Sequence, residues 1–146
     1  MYAALQEAEL ALDKDEVPIG AVVVHNNRII GRGHNQTIQL NDATAHAEML
    51  AITAASNYLK SQFLYKCDLY ISVEPCVMCS GAILLSRFEN LYFATFEPKL
   101  GAAGSVYNLL ENNKYNHSIN IYSEIYQEES KQLLQSFFLK KRKTGL

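Results

Sequence analysis

Helical and strand-forming patterns alternate along this chain of 146 residues, and this alternation limits the possible folds more than any other feature. Two β-branched runs flank His25-Asn26-Asn27, which predicts a hairpin because asparagine tolerates a positive φ. With the other runs and amphipathic stretches, the predicted order is αββαβαβ(β)α. The pattern predicts an α/β fold, a three-layer α/β/α sandwich around a mixed five-stranded sheet.

The bounds of the elements follow from hydropathy and from residues that begin helices. Asp42 or Thr44 is expected to cap the second helix, and Pro75 to open the third. We predict helices at 1–12, 42–59, 75–86 and 125–141, a loop at 97–105, and strands at 19–25, 28–34, 69–73, 91–95 and 119–122. In the last helix, four apolar side chains are spaced for burial: Leu133, Leu134, Phe137 and Phe138.

Length and composition indicate a single domain over residues 1–146. Hydrophobic residues make up 49% and charged residues 19%, so the chain can close a core. The longest apolar run, Ile19–Val24, is too short to span a membrane, so we expect no membrane partner, and the acidic first twenty residues do not fit a secretory signal. Three cysteines are too few for a disulfide scaffold, so we expect a cytoplasmic protein.

The net charge of −2 hides an uneven distribution. Lys140, Lys141, Arg142 and Lys143 hold four of the 13 positive charges, which leaves 9 against 15 acidic residues, or −6, for residues 1–139. We therefore predict a mildly acidic body with a basic C-terminal tail over 139–146. The tail could contact phosphates, or it could be only a solvated helix end.

Two short motifs at predicted helix starts carry the reactive side chains: His46-Ala47-Glu48 and Pro75-Cys76-Val77-Met78-Cys79. Cys76 and Cys79 are three residues apart, so their sulfurs lie on one face of the first turn. Free backbone N–H groups and the helix dipole favour thiolates there. With His46 as the third ligand, a Cys₂His set leaves one of four tetrahedral zinc positions open, as in catalytic zinc sites.

Glu48 is the candidate catalytic residue, because it could take a proton from a water at the open position and pass it to a substrate. Residues two apart on a helix point about 200° away from each other. His46 and Glu48 can therefore serve one metal only at a helix end, which is where the capping signal before His46 places them.

Other roles for these residue types stay open at this point. The two cysteines could form a redox pair, or Cys67 or His34 could complete a structural zinc site. Otherwise Cys67 is most simply a small core residue, and His25 and His117 are turn or loop residues. We expect Glu74 to hydrogen-bond the backbone or a ligand rather than to take part in catalysis.

H-x-E followed by P-C-x-x-C is the known signature of zinc nucleobase deaminases. Further segments follow in matching order, so the chain from 1 to about 143 resembles the bacterial tRNA-specific adenosine deaminases of the cytidine/deoxycytidylate deaminase superfamily. The Gly-Ala-Ala-Gly-Ser loop and the Phe-Phe-basic end point to the tRNA branch. The matching segments are 17–22, 45–48, 74–82, 101–105 and 116–117.

The resemblance implies a cytidine-deaminase-like fold and hydrolytic conversion of adenosine to inosine at wobble position 34 of a tRNA anticodon, most simply that of tRNA-Arg(ACG). It also implies a homodimer with one zinc per subunit. By position, Glu48 corresponds to the proton shuttle, and the zinc ligands are His46, Cys76 and Cys79. Asn35 corresponds to a residue that hydrogen-bonds the flipped adenine, and three more positions correspond to RNA contacts: Glu97, Asn116 and Phe138.

Two departures from the family pattern bear on these expectations. Glu97 stands where the family commonly has aspartate, and its extra methylene is expected to shift or remove a contact to the RNA backbone. Family members usually have several more residues before the first helix, so we expect that helix to be less firmly anchored.

Two other functions share part of this signature. A deaminase of a free base or nucleotide, such as guanine, cytosine or deoxycytidylate, would keep the zinc motifs but differ in the loop after 91–95 and lack the basic Phe-Phe end. A non-catalytic zinc-containing RNA-binding module would lack an open ligand position on the metal.

Overall fold

The computed structural model describes residues 1–111 and 114–145, which form four helices and five strands. The helices are α1 (Tyr2–Asp13), α2 (Ala47–Leu59), α3 (Val77–Ser86) and α4 (Gln127–Lys143). The strands are β1 (Gly20–His25), β2 (Arg28–His34), β3 (Asp68–Val73), β4 (Asn90–Thr95) and β5 (Asn120–Tyr122). Their order confirms the predicted alternation, including the last short strand.

The five strands form one mixed sheet in the order β2-β1-β3-β4-β5. β1 pairs antiparallel with β2 and β3, whereas β4 is parallel to both β3 and β5. Asn26 and Asn27, with φ of 50° and 61°, form the turn between β1 and β2, as predicted. Because β3 and β4 are parallel, the loops that follow them leave from the same edge of the sheet.

Helices cover both faces of the sheet, which confirms the predicted sandwich. α2 packs against β2, β1 and α3, while α1 and α4 pack against each other and against the sheet. The main core lies on the α2 and α3 side, where each fully buried aliphatic or aromatic side chain contributes about 1.5–3 kcal/mol. Its wholly buried members include Val23, Leu69, Ile71, Leu91 and Phe93.

Two glycines of β2 bring α2 very close to the sheet. A Cβ at Gly33 would lie 2.3 Å from the backbone oxygen of Ala47, and one at Gly31 would lie 2.4 Å from that of Ala51. Any larger residue would push the helix away from β2. Because Ala47 is the first residue of α2, this contact sets the position of its neighbours His46 and Glu48.

The start of α2 differs from the prediction. The helix begins at Ala47, because the Asp42 side chain accepts hydrogen bonds from the backbone and hydroxyl of Thr44 and closes a turn ahead of the helix. Neither Asp42 nor Thr44 therefore caps α2. The third helix likewise begins two residues later than predicted, at Val77.

The last helix also corrects the predicted burial, because Leu133 and Leu134 are only half-buried. Phe137 is buried, but Phe138 is 48% exposed and does not belong to the core. The two rings contact edge to face, with their centroids 5.2 Å apart. The residues 139–143 of the predicted basic tail continue α4, and Leu146 lies outside the described residues.

The first helix is closely packed, contrary to the loose anchoring that the resemblance implied. Ala4, Ala8 and Ala11 are wholly buried. A Cβ at Gly20 of β1 would lie 2.1 Å from the backbone oxygen of Ala4, so helix and strand touch through their backbones.

Within the described residues, no helix has the length and apolar character that a membrane span requires.

Candidate metal centre and active site

The first turns of α2 and α3 meet beside the end of β3. The chain leaves β3 through Glu74 and Pro75, and Cys76 then forms the N-cap of α3. His46 forms the N-cap of α2, which packs against α3. His46 and Glu48 therefore lie at a helix end, as the spacing argument required, with His46 as the cap itself.

The three predicted ligand atoms have the spacing that one metal ion needs. His46 Nδ1 lies 3.7 Å from the Cys76 sulfur and 3.6 Å from the Cys79 sulfur. Tetrahedral zinc, with bonds of about 2.3 Å to sulfur and about 2.05 Å to nitrogen, separates such atoms by about 3.6 Å. The three atoms all lie within 4.8 Å of one another, so this ligand cluster (His46, Cys76 and Cys79) could hold a metal ion.

The two sulfurs of the ligand cluster differ in protonation. The Cys79 thiol donates a hydrogen bond to the Cys76 sulfur, which lowers the pKa of Cys76 to about 4. The same bond, together with burial, raises the pKa of Cys79. The hydrogen bond between His46 and Cys76 raises the pKa of the imidazole. One thiolate is therefore ready to bind a metal, and metal binding would release the proton of Cys79.

Glu48 is buried next to this cluster. The side chain is 4% exposed, and its Oε2 has no hydrogen-bond partner among the residues that the structure describes. Burial raises the pKa of the carboxyl to about 7, and a hydrogen bond between the carboxyl and Cys79 brings it into contact with the cluster. A buried acceptor without a partner is suited to bind a water or a substrate group.

Asn35 connects β2 to the start of α2. Its Oδ1 accepts a hydrogen bond of 3.0 Å from the backbone N–H of Ala47, so it satisfies a donor of the first helical turn from twelve residues away. With the oxygen held in this way, the side-chain NH₂ is the group that remains for a ligand. The prediction that Asn35 contacts a base is therefore compatible with its position beside Glu48.

A fourth protein ligand is absent from the part of the chain that the structure describes, where the metal-binding group has only three members. His34 instead lies 2.9 Å from Glu7 through Nδ1 and Oε2. Cys67 is wholly buried in the main core, and burial raises its pKa to about 11. The structure thus favours a metal with an open position over a structural zinc site.

The other predicted contact residues are not members of the ligand cluster. The Glu97 carboxylate accepts a hydrogen bond from the backbone N–H of Lys99, 2.8 Å away, and closes its own turn. Asn116 is exposed and borders a groove at the C-terminal half of α3, whereas the cysteines lie at its start. Phe138 borders a second groove near the end of α4, lined also by Lys99, Lys141 and Arg142.

A second buried carboxylate at this edge was not predicted. Glu16 is 1% exposed and accepts hydrogen bonds from the backbone of Ile38 and Gln39, at 2.9 and 2.8 Å, and from the hydroxyl of Thr37. It thereby holds the segment between Asn35 and α2. No local pattern distinguishes Glu16 from the other acidic residues near the start of the chain.

Comparison with known proteins agrees with this arrangement. The family model of the MafB19-like deaminases matches residues 1–142. A tRNA-specific adenosine deaminase of Aquifex aeolicus (strain VF5) is 45% identical over 143 residues, which are 97% of this chain and 93% of the relative.

Two solved structures are informative. One, from work on A-to-I editing by tRNA:A34 deaminases at the wobble position of transfer RNA, has a TM-score of 0.88 and 42% identity, covering 92% of this chain and 97% of that chain. A guanine deaminase from Bacillus subtilis has a TM-score of 0.66 and 31% identity, covering 94% and 90%. These similarities, together with the site, show that this chain belongs to the deaminase family and, within it, to the tRNA-specific adenosine deaminases.

Proposed function

We propose that this protein catalyses the hydrolytic deamination of adenosine to inosine at wobble position 34 of a tRNA anticodon. We propose tRNA-Arg(ACG) as the tRNA that carries this anticodon. The observation that carries the proposal is the buried Glu48 carboxyl, whose Oε2 lacks a partner among the described residues, beside a three-membered ligand cluster. The relatives of the chain provide the substrate class.

The metal is proposed to be one zinc ion per subunit, held by His46, Cys76 and Cys79. Two sulfurs and one imidazole nitrogen are a common donor set of catalytic zinc, and the spacing of these atoms fits its bond lengths. When bound, zinc supplies a Lewis acid and lowers the pKa of water to about 7.

Glu48 moves the protons of the reaction. Its pKa of about 7 allows it to accept and release a proton near neutral pH. We propose that Glu48 takes a proton from the water that attacks C6 of adenine, delivers it to N1, and then assists the amino group to leave as ammonia. The products are inosine and ammonia, so one water is consumed for each base.

The substrate base must leave its stack to reach Glu48, because the carboxyl is almost wholly buried. We propose that the NH₂ of Asn35 donates a hydrogen bond to the splayed adenine, since the Oδ1 is held by Ala47. The groove of Lys99, Phe138, Lys141 and Arg142 combines cations with an exposed ring, which suits phosphates and bases of the anticodon loop.

The outer face of α3 suits a second copy of this chain. Val77 and Leu85 are 50% and 75% exposed, and with Gly81 they follow the i, i+4, i+8 spacing of one helix face. A Cβ at Gly81 would meet nothing within 4 Å, so a partner backbone could approach closely there. We propose a homodimer through this face. None of the three cysteines forms a disulfide, which suits the cytoplasm, where we propose that the protein acts.

Light scattering after size exclusion tests the dimer. Leu85→Glu should halve the molar mass, because it places a charge in the apolar contact, whereas Tyr58→Glu, at a residue of α2 that is 60% exposed, should leave it unchanged. A monomeric wild-type protein would contradict this proposal without affecting the deaminase function.

A guanine deaminase is the second candidate, because a protein of that activity is 31% identical over 94% of this chain. The decisive experiment offers the zinc-loaded protein an anticodon stem-loop with adenosine at position 34, the same stem-loop with guanosine there, free guanine and cytidine. Ammonia release and inosine in the RNA are measured, with Glu48→Ala as the blank. We expect inosine only from the first substrate, and ammonia from free guanine alone would overturn the proposal.

A further inference from the structure

The loop that follows β4 is folded around the carboxylate of Glu74. This side chain is 3% exposed and receives four donors. Oε1 accepts from the backbone N–H of Glu97 at 3.0 Å and lies 2.6 Å from the hydroxyl of Ser105. Oε2 accepts from the backbone N–H groups of Ala103 and Ser105, at 2.9 and 3.1 Å. Both oxygens are therefore used as acceptors by one loop, the rim loop (97–105).

Gly101 shows how closely the rim loop fits this carboxylate. A Cβ at Gly101 would lie 2.3 Å from Oε1 of Glu74 and 2.3 Å from the hydroxyl oxygen of Ser105. A side chain at this position would displace the Glu74 carboxylate or the Ser105 hydroxyl. The close fit of Gly101 and the four donors both match a carboxylate at Glu74, because an ionised carboxylate accepts four hydrogen bonds and donates none.

Glu74 also belongs to the segment that carries a metal ligand. Only Pro75 separates it in sequence from Cys76, and the backbone oxygen of Pro75 accepts a hydrogen bond of 2.8 Å from the backbone N–H of Ala102 in the rim loop. At the other end, the rim loop contains Glu97 and Lys99, and Lys99 borders the groove proposed for the anticodon loop. One buried side chain therefore joins the start of α3 to the proposed RNA surface.

We propose that Glu74 is a positioning residue for RNA recognition: it sets the place of the rim loop relative to the ligand cluster and so the place of Glu97 and Lys99 against the substrate. It acts through the loop and does not touch the reacting base. This inference rests on the proposed function, because it assigns part of the RNA surface of that same site.

Glu74→Gln tests the proposal with almost no change in volume. Whichever way the new amide turns, its NH₂ would face at least one backbone N–H of the rim loop, so at least one of these hydrogen bonds cannot form. We expect KM for the anticodon stem-loop to rise about tenfold with kcat changed less than about threefold, because Glu48 and the metal ligands keep their places. Zinc content should stay at one per chain. The backbone amides of Glu97, Ala103 and Ser105 should exchange with solvent faster.

Asp68→Asn is the matched control. Asp68 lies at the opposite end of β3 and likewise accepts a side-chain hydrogen bond, from Asn90 at 2.7 Å. The substitution is equally isosteric but touches no part of the rim loop, so KM and the exchange of the loop amides should match those of the wild type. An equal change in both variants would reduce the role of Glu74 to general stability and overturn the proposal.

Gly101→Ala provides a second route to the same defect, since its methyl group would displace the Glu74 carboxylate. If both changes act through one contact, the double variant Glu74→Gln/Gly101→Ala should raise KM no more than the worse single variant, whereas independent effects would multiply. Wild-type KM in Glu74→Gln would overturn the inference alone. An inactive wild-type protein on the stem-loop would instead overturn the proposed function.

Discussion

The ligand cluster and the basic end of α4 use charge in opposite ways. In the cluster, titratable groups lie within a few ångströms of one another, and Glu48 beside them is 4% exposed. At the end of α4, Lys140 contacts Asp15 at 2.8 Å on the surface, Lys141 lies over the Phe137 ring, and Arg142 and Lys143 are exposed. Buried charges are little screened by salt, whereas exposed charges act only within about 10 Å. The ligand cluster is thus suited to metal binding and proton transfer, whereas the end of α4 is suited to electrostatic attraction that salt weakens.

Removal of a ligand should have the largest effect. Cys79→Ala should lose bound zinc and all measurable deamination, because a wholly buried ligand of a three-membered set cannot be replaced from the surface. Metal analysis and the stem-loop assay measure both. Cys67→Ala, at a buried cysteine outside the cluster, is the control and should keep the metal. Full zinc retention in Cys79→Ala would mean that the ligand cluster is wrongly assigned.

Substitution of Glu48 should separate the chemical step from metal binding. Glu48→Ala and Glu48→Gln should keep the fold and the zinc but reduce kcat by at least about 10²–10⁴, the usual contribution of a general acid–base group. Single-turnover assays of inosine formation on the stem-loop provide the measurement. Turnover near that of the wild type in either variant would exclude Glu48 as the proton shuttle.

Burial of Glu48 should also make the stability of the metal-free protein depend on pH. Its pKa rises from 4.5 to about 7 on folding, so the unfolded carboxyl ionises first and stability falls as the pH rises between these values. Relative to Glu48→Gln, the wild type should lose up to about 3 kcal/mol across this interval. Urea unfolding of both proteins at pH 4.5 and pH 7.5 measures the difference. Parallel curves would show that the carboxyl is not desolvated.

Substitutions at the basic end of α4 should have the smallest effects, and only these effects should depend on the salt concentration. Neutralising Lys140 to Lys143 with glutamine should weaken stem-loop binding, and the slope of log K against log salt should fall by about one for each phosphate that the helix end no longer neutralises. Once substrate saturates, kcat should stay near that of the wild type. An unchanged salt slope would remove this helix end from the RNA interface.

Asp15→Asn is the matched variant for this surface, because it releases Lys140 without removing a positive charge. Binding should strengthen by less than about threefold at low salt, since exposed ion pairs contribute little. A marked loss of binding would indicate that Asp15 positions Lys140 for RNA rather than competing with it.

Local patterns predicted most of the architecture and the ligand cluster. Apolar runs and helical spacing predicted the five strands and four helices that the structure describes. The predicted start of α2 was wrong. The Asp42 side chain accepts hydrogen bonds from Thr44 within a turn instead of from an N–H of the helix. Phe138 was assigned to the core by its spacing, yet α4 turns its ring outward and buries Phe137.

The residue types and spacings of the sequence by themselves determined which side chains could bind a metal and move a proton, since helix starts and cysteine spacing are local properties. Only the tertiary structure decided which distant side chains support them. Asn35 satisfies a donor of α2, while Glu16 and Glu74 hold loops at the same edge, and all three contacts join segments that are remote in sequence. A buried carboxylate accepts hydrogen bonds from groups that only the folded chain brings close to it. These donors are distant in sequence, so no local sequence pattern identifies them.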